Sequence, residues 1–80
     1  MNADEFRAAA HELIELIVGY HEGIEARPVL PDLEPGDVRA ALPEHPPAAP
    51  EPWGAVRADV EQVIVPGTVG WSHPNWFAYF

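Results

Sequence analysis

Eighty residues allow one domain at most, and a chain this short buries only roughly 60% of its extended surface, so its core is marginal without help. Thirteen Asp and Glu stand against four Arg (Arg7, Arg27, Arg39, Arg57) and no Lys, and a net charge of −9 argues against nucleic acid or an anionic membrane surface. The chain has no Cys for a disulfide, a thiolate metal site or a thiol nucleophile, no Lys for a Schiff base, and no run of about 18 apolar residues to span a bilayer. Asp4, Glu5 and Glu12 give the N-terminus the wrong charge for a secretory or transit peptide, so a cytoplasmic location is expected.

Residues 2 to about 26 read as one long helix. Asn2 is a good N-cap, and Glu5 three positions later completes a capping-box pattern. Phe6, Ala10, Leu13, Ile14, Ile17, Tyr20 and Ile24 recur at helical spacing and form an apolar stripe, which Ala9 and Leu16 widen. The stripe is broader than one partner helix requires, so burial on two sides is expected. Gly19 and Gly23 sit four apart, which fits either close helix approach or tolerated surface glycines. Arg27-Pro28 closes the helix, because a residue before Pro disfavours the αR conformation.

The chain carries ten Pro, most of them between this helix and the next. Within residues 28–50, Leu33-Glu34-Pro35-Gly36-Asp37-Val38-Arg39 has room for a turn and a short helical turn. Pro43 to Pro50 is expected to be extended and exposed. Val29, Leu30, Leu33, Val38 and Leu42 make this connector a strap with apolar anchors. Residues 52 to 65 read as a second helix, with Pro52 at a first helical position. Trp53, Val56, Val60, Val63 and Ile64 lie on one face; Arg57, Asp59, Glu61 and Gln62 lie on the other. Pro66-Gly67 is the stop, and Gly70 allows a turn beyond it.

The last ten residues, Trp71 to Phe80, hold two of the three Trp and two of the three Phe. Such a peptide should be packed against something, because each buried aromatic removes a large apolar area from water. It reads either as a hydrophobic plug or as an aromatic wall for a flat apolar ligand with a polar handle. Tyr79 and Trp71 each offer a wall and a hydrogen bond.

No complete active site is legible. His11-Glu12 begins like a zinc-protease helix, but Glu15 stands where the second His is required. His21 and His45 read as solvated. His73 precedes Pro74 with no carboxylate nearby in sequence, so a structural hydrogen bond is expected ahead of catalysis. The expected class is therefore all-α: two amphipathic helices, about 2–26 and 52–65, joined by a Pro-rich strap, extended rather than closed. Stripes without an internal partner predict an intertwined or swapped homodimer, burial against the remainder of a longer polypeptide, or both.

Taken together, four blocks resemble the N-terminal segment of the pyridoxal-phosphate-dependent aromatic L-amino-acid decarboxylases, the group II decarboxylases. They are Met1 to Arg7, Tyr20-His21-Glu22-Gly23-Ile24-Glu25, Pro31 to Gly36, and Pro66-Gly67 with Trp71 and His73 to Phe80. The resemblance covers the whole chain, residues 1–80, as the dimerisation segment of a larger enzyme whose cofactor-binding domain lies elsewhere. It implies a dimer in which N-terminal helices of one subunit lie across the other. It also implies that Trp71, Tyr79 and Phe80 help line the pocket for an aromatic amino-acid side chain. The residues that bind pyridoxal phosphate belong to the catalytic domain, so this chain alone, without Lys, is expected to be inactive and to bind no cofactor. Gly70, where many relatives carry a polar residue or His, and Trp76, in place of a more usual Phe, depart from the family pattern. The remaining alternatives are a free-standing helical interaction module with an aromatic docking tail, and a small metal-binding helical protein.

Overall fold

Each helix begins and ends where local chemistry dictates. A computed structural model describes residues 1–77, and among these the regular structure is entirely helical, with no strand. The described residues fall into two compact units: Met1–Val29 with residues 70–77, and Leu30–Val69.

In the first unit, helix α1 spans Ala3–Glu22. Asn2 caps it: its Oδ1 accepts the Glu5 backbone N–H at 2.9 Å, while Glu5 Oε2 accepts the Asn2 N–H at 3.0 Å. Two of the otherwise unpaired amides at the helix start are thereby satisfied, which stabilises it by about 1 kcal/mol. Asp4 and Glu5 face the positive end of the helix dipole, and Asp4 pairs with Arg7 at 2.7 Å.

The helix ends four residues earlier than the expected boundary at 26. Gly23 is the C-cap, its N–H donating to the Gly19 carbonyl at 3.0 Å, and a single 3₁₀ turn follows over Ile24–Ala26. A helix-terminating Gly therefore acts before the Arg27-Pro28 signal is reached. Arg27 is already extended, as a residue before Pro should be. No described atom approaches the position of a Cβ on Gly19 within 4 Å, so no described segment packs closely on that glycine.

The apolar stripe of α1 is only partly covered. Ala9, Ala10, Leu16 and Tyr20 are half-buried, and Ile24 is buried. Phe6, Leu13, Ile14 and Ile17 remain exposed, Phe6 at 66% and Ile14 at 54%. The covered and exposed positions interleave along one stripe, so α1 is buried in part and not on two sides.

In the second unit, Glu34-Pro35-Gly36-Asp37 forms a turn closed by the Asp37 N–H on the Glu34 carbonyl at 3.1 Å. Pro35 presets the first corner, and Gly36 takes φ of 95°, a left-handed conformation that favours glycine. Asp37 Oδ2 accepts the Glu34 N–H at 2.8 Å, and the short helix α2 follows over Asp37–Ala41. Residues 43–50 are exposed throughout, as their Pro content predicts. Leu30 and Leu33 are exposed as well, so only Val29, Val38 and Leu42 of the expected strap anchors are partly covered.

Helix α3 spans Trp53–Asp59 and continues without a break into a π-helical segment, Val60–Ile64. Pro52 is the extended N-cap rather than the first helical residue, with φ −64° and ψ 151°. The widened turn is marked by the Val65 N–H bonding back five residues to the Val60 carbonyl at 2.8 Å. Arg57 and Glu61 pair across it at 3.0 Å. Pro66-Gly67 then ends the helix as expected. A Cβ on Gly67 would stand 2.5 Å from Val38 Cγ2 and 3.0 Å from the Val63 carbonyl, so α2 packs here only on a glycine. An open cleft of about 150 Å³ beside it is lined by Leu33, Val38, Ala41, Val63 and Pro66, among others.

Candidate functional site

The aromatic run is held by two contacts to the turn that follows α1. The Gly70 N–H donates to the Val29 carbonyl at 2.6 Å, and Gly70 is buried. A Cβ at Gly70 would lie 3.2 Å from both Val29 Cα and Val29 O and 3.4 Å from the Pro28 carbonyl. Backbone meets backbone here, and only a residue without a side chain fits comfortably. The expected role of Gly70, a turn, is therefore incomplete: its larger contribution is close approach.

His73 makes the second contact. It is 8% exposed, and its Nδ1 accepts the Asn75 backbone N–H at 2.9 Å. With Nδ1 an acceptor, the ring proton resides on Nε2, which faces the Glu25 carbonyl at 3.3 Å. Both ring nitrogens are thus engaged by backbone groups. The structural hydrogen bond expected of His73 is present, and its partners are peptide groups. Successive turns, His73 N–H to Gly70 carbonyl and Trp76 N–H to His73 carbonyl, both at 3.0 Å, wind the segment around this ring.

That winding brings Trp71 and Trp76 into a parallel stack, with ring centroids 6.4 Å apart and planes 18° apart. Trp76 is half-buried, whereas Trp71 is 68% exposed and Phe77 is exposed too. An exposed indole backed by a second indole presents an apolar face. Trp76, singled out from the sequence only as a departure from the family pattern, is the ring that stacks on Trp71. The available signal was its position two residues after Pro74, where a turn folds it back toward Trp71. Of the pocket residues implied by resemblance, Trp71 lies on this platform, while Tyr79 and Phe80 lie outside the described residues.

The other sequence candidates are not brought together. His21 meets Tyr20 edge-on at 5.6 Å, and Arg27 lies over the Tyr20 ring at 5.3 Å. Among the described residues, no three His, Asp or Glu side chains form a group that could hold a metal ion, and no helix is long and apolar enough to cross a membrane.

The chain is homologous over its full length to the N-terminal part of the pyridoxal-phosphate-dependent aromatic-L-amino-acid and tryptophan decarboxylases. It is 44% identical over 80 residues to the aromatic-L-amino-acid decarboxylase of Cavia porcellus, covering all of this chain and 17% of that protein. Among solved structures, it superposes on the Oryza sativa decarboxylase with pyridoxal phosphate and tryptamine with a TM-score of 0.91 at 34% identity. It superposes on the Catharanthus roseus tryptophan decarboxylase in complex with L-tryptophan with a TM-score of 0.88 at 39% identity. Each superposition covers the whole of this chain and 17% of the solved one. The chain therefore spans about a sixth of the length of these relatives. No protein-family model matches it.

Because the Val29 contact involves backbone atoms that cannot rotate away, Gly70→Ala should destabilise the first unit by about 1–3 kcal/mol. Thermal unfolding followed by circular dichroism checks this. An unchanged midpoint would mean that the close approach does not exist.

Proposed function

We propose that this chain serves as the N-terminal segment of a pyridoxal-phosphate-dependent decarboxylase acting on aromatic L-amino acids. In this reading α1 contributes to a homodimer interface, and Trp71, with Tyr79 and Phe80, lines the pocket for the substrate side chain. The observation that carries it is the full-length superposition on decarboxylases solved with tryptamine and with L-tryptophan, at 34% and 39% identity. The exposed indole of Trp71 supports the same reading, since a flat aromatic substrate stacks well on such a face.

Pyridoxal phosphate, when bound, supplies an electron sink for loss of carbon dioxide. The residues of this chain do not fit that group by themselves. There is no Lys to carry the aldehyde carbon. Arg7 and Arg57, which could face a phosphate, are paired with Asp4 and Glu61. What the chain can contribute is orientation: an aromatic wall that fixes the side chain and so aligns the reacting carboxylate elsewhere. The alternative of a free-standing interaction module shares the exposed α1 face but leaves the full-length match unexplained.

The exposed half of the α1 stripe supports dimerisation on physical grounds. Each fully buried Leu, Ile or Phe stabilises by about 1.5–3 kcal/mol relative to exposure, and Phe6, Leu13, Ile14 and Ile17 forgo part of that. A second copy, or further chain, would recover it.

Two outcomes test this reading. Mixed with pyridoxal phosphate and an aromatic amino acid, the 80-residue chain alone should release no carbon dioxide, whereas the polypeptide that includes a cofactor domain should. In the latter, Trp71→Ala should raise KM by about 3- to 10-fold, from the loss of about 0.5–1.5 kcal/mol of ring stacking, with a smaller change in kcat. Turnover by the isolated chain would contradict this division of roles, and so would inactivity of the larger polypeptide. Sedimentation at low micromolar concentration should find the chain associated, with Ile17→Glu shifting it to monomer at unchanged helix content. A monomeric, cooperatively melting wild-type chain would remove the interface argument.

A further inference from the structure

His73 is the one buried titratable side chain among the described residues, and the pocket reading assigns it no role. Its ring bridges two places far apart in sequence. Nδ1 closes the local turn on Asn75, and Nε2 reaches the Glu25 carbonyl, 48 positions away, in the 3₁₀ turn below α1. A side chain needed only to close a turn would not require both nitrogens. Asn would do that, because its carboxamide oxygen reaches the N–H two residues on.

We propose that His73 is a positioning residue for the aromatic platform. Held as a single neutral tautomer, it ties the Trp71–Trp76 stack to the end of α1. The catalytic consequence rests on the reading above; the structural one does not.

The distances determine how the tie works. Gly70 fixes one end of the segment on Val29, so the peptide is anchored at its start. A single anchor leaves a peptide able to turn about that point, and Trp71 is mostly exposed. The Nε2 contact lies between the two indoles in sequence, where it removes that rotation. Any shift of the 3₁₀ turn Ile24–Ala26 then moves the Glu25 carbonyl and carries the stack with it. In a dimer built on α1, assembly would thereby be coupled to the orientation of the aromatic wall.

The two ring nitrogens can be tested apart. Gln places an amide N–H close to the position of Nε2 but lacks the Nδ1 acceptor; Asn supplies the Nδ1-like acceptor but falls short of Glu25. In the full 80-residue chain, long-range proton–nitrogen correlation of the His73 ring should report the Nε2–H tautomer. Near-ultraviolet circular dichroism should show the coupled signal of the Trp71–Trp76 pair. His73→Ala and His73→Asn should lose that signal while far-ultraviolet helix content is kept, and His73→Gln should restore it. An Nδ1–H tautomer overturns the proposal. So does a stack signal that survives in His73→Asn, which would reduce His73 to a turn former. In the larger cofactor-bound polypeptide, His73→Asn should raise KM for an aromatic amino acid with little change in kcat, and His73→Gln should recover it. If the wild-type polypeptide shows no such turnover, the decarboxylase reading fails, and the spectroscopic outcomes alone decide the role of His73.

Discussion

The first unit depends on a pair of contacts between peptide groups distant in sequence. Gly70 lies backbone to backbone on Val29, and the His73 ring spans from Asn75 to the Glu25 carbonyl. Neither contact is strong by itself, since a typical intramolecular hydrogen bond contributes about 0.5–1.5 kcal/mol net. Their effect comes from burial. The Gly70 N–H and the imidazole have lost water, so leaving either unpaired would cost about 1–3 kcal/mol. The segment is therefore held by polar groups that have no better alternative, while Trp71 stays mostly exposed.

This arrangement reverses the usual division of labour in a small domain. Apolar side chains ordinarily bury themselves while polar groups take the surface. Here His73 is buried, and Trp71, Phe77, Phe6 and Ile14 are not. A chain this short has little interior to offer, and much of its apolar surface lies where another surface could meet it. The exposed α1 face and the exposed indole are two expressions of one shortage. Both fit a segment whose homologous relatives are about six times its length, a figure from its 17% coverage of them.

Local signals in the sequence were readable because the structures they specify are local. Asn2 and Glu5 specify the helix start, Pro35-Gly36 the left-handed turn before α2, and Pro66-Gly67 the helix stop, each through atoms within a few residues. The early end of α1 at Gly23 was misread because Arg27-Pro28 is the louder signal, although the glycine acts first. The π-helical widening at Val60–Ile64 leaves no mark in the periodicity of Val56, Val60, Val63 and Ile64, which serves both helix types. Least legible were the partners of Gly70 and His73. Both are backbone carbonyls, and a carbonyl has the same identity at every position. Only the fold could reveal that Val29 and Glu25 were the ones. The platform of Trp71 and Trp76 follows from that placement, so its composition was visible and its geometry was not.

The Gly70 amide is paired across the unit with Val29, and the Asn75 amide is paired with the buried His73 ring. Residue-resolved hydrogen exchange measures this directly. The Gly70 and Asn75 amides should exchange far more slowly than those of exposed neighbours such as Ser72, with Asn75 protection lost in His73→Gln, which lacks the Nδ1 acceptor, and kept in His73→Asn, which supplies one. Exchange of Gly70 and Asn75 at the rate of an unstructured peptide, with α1 still protected, would contradict the account.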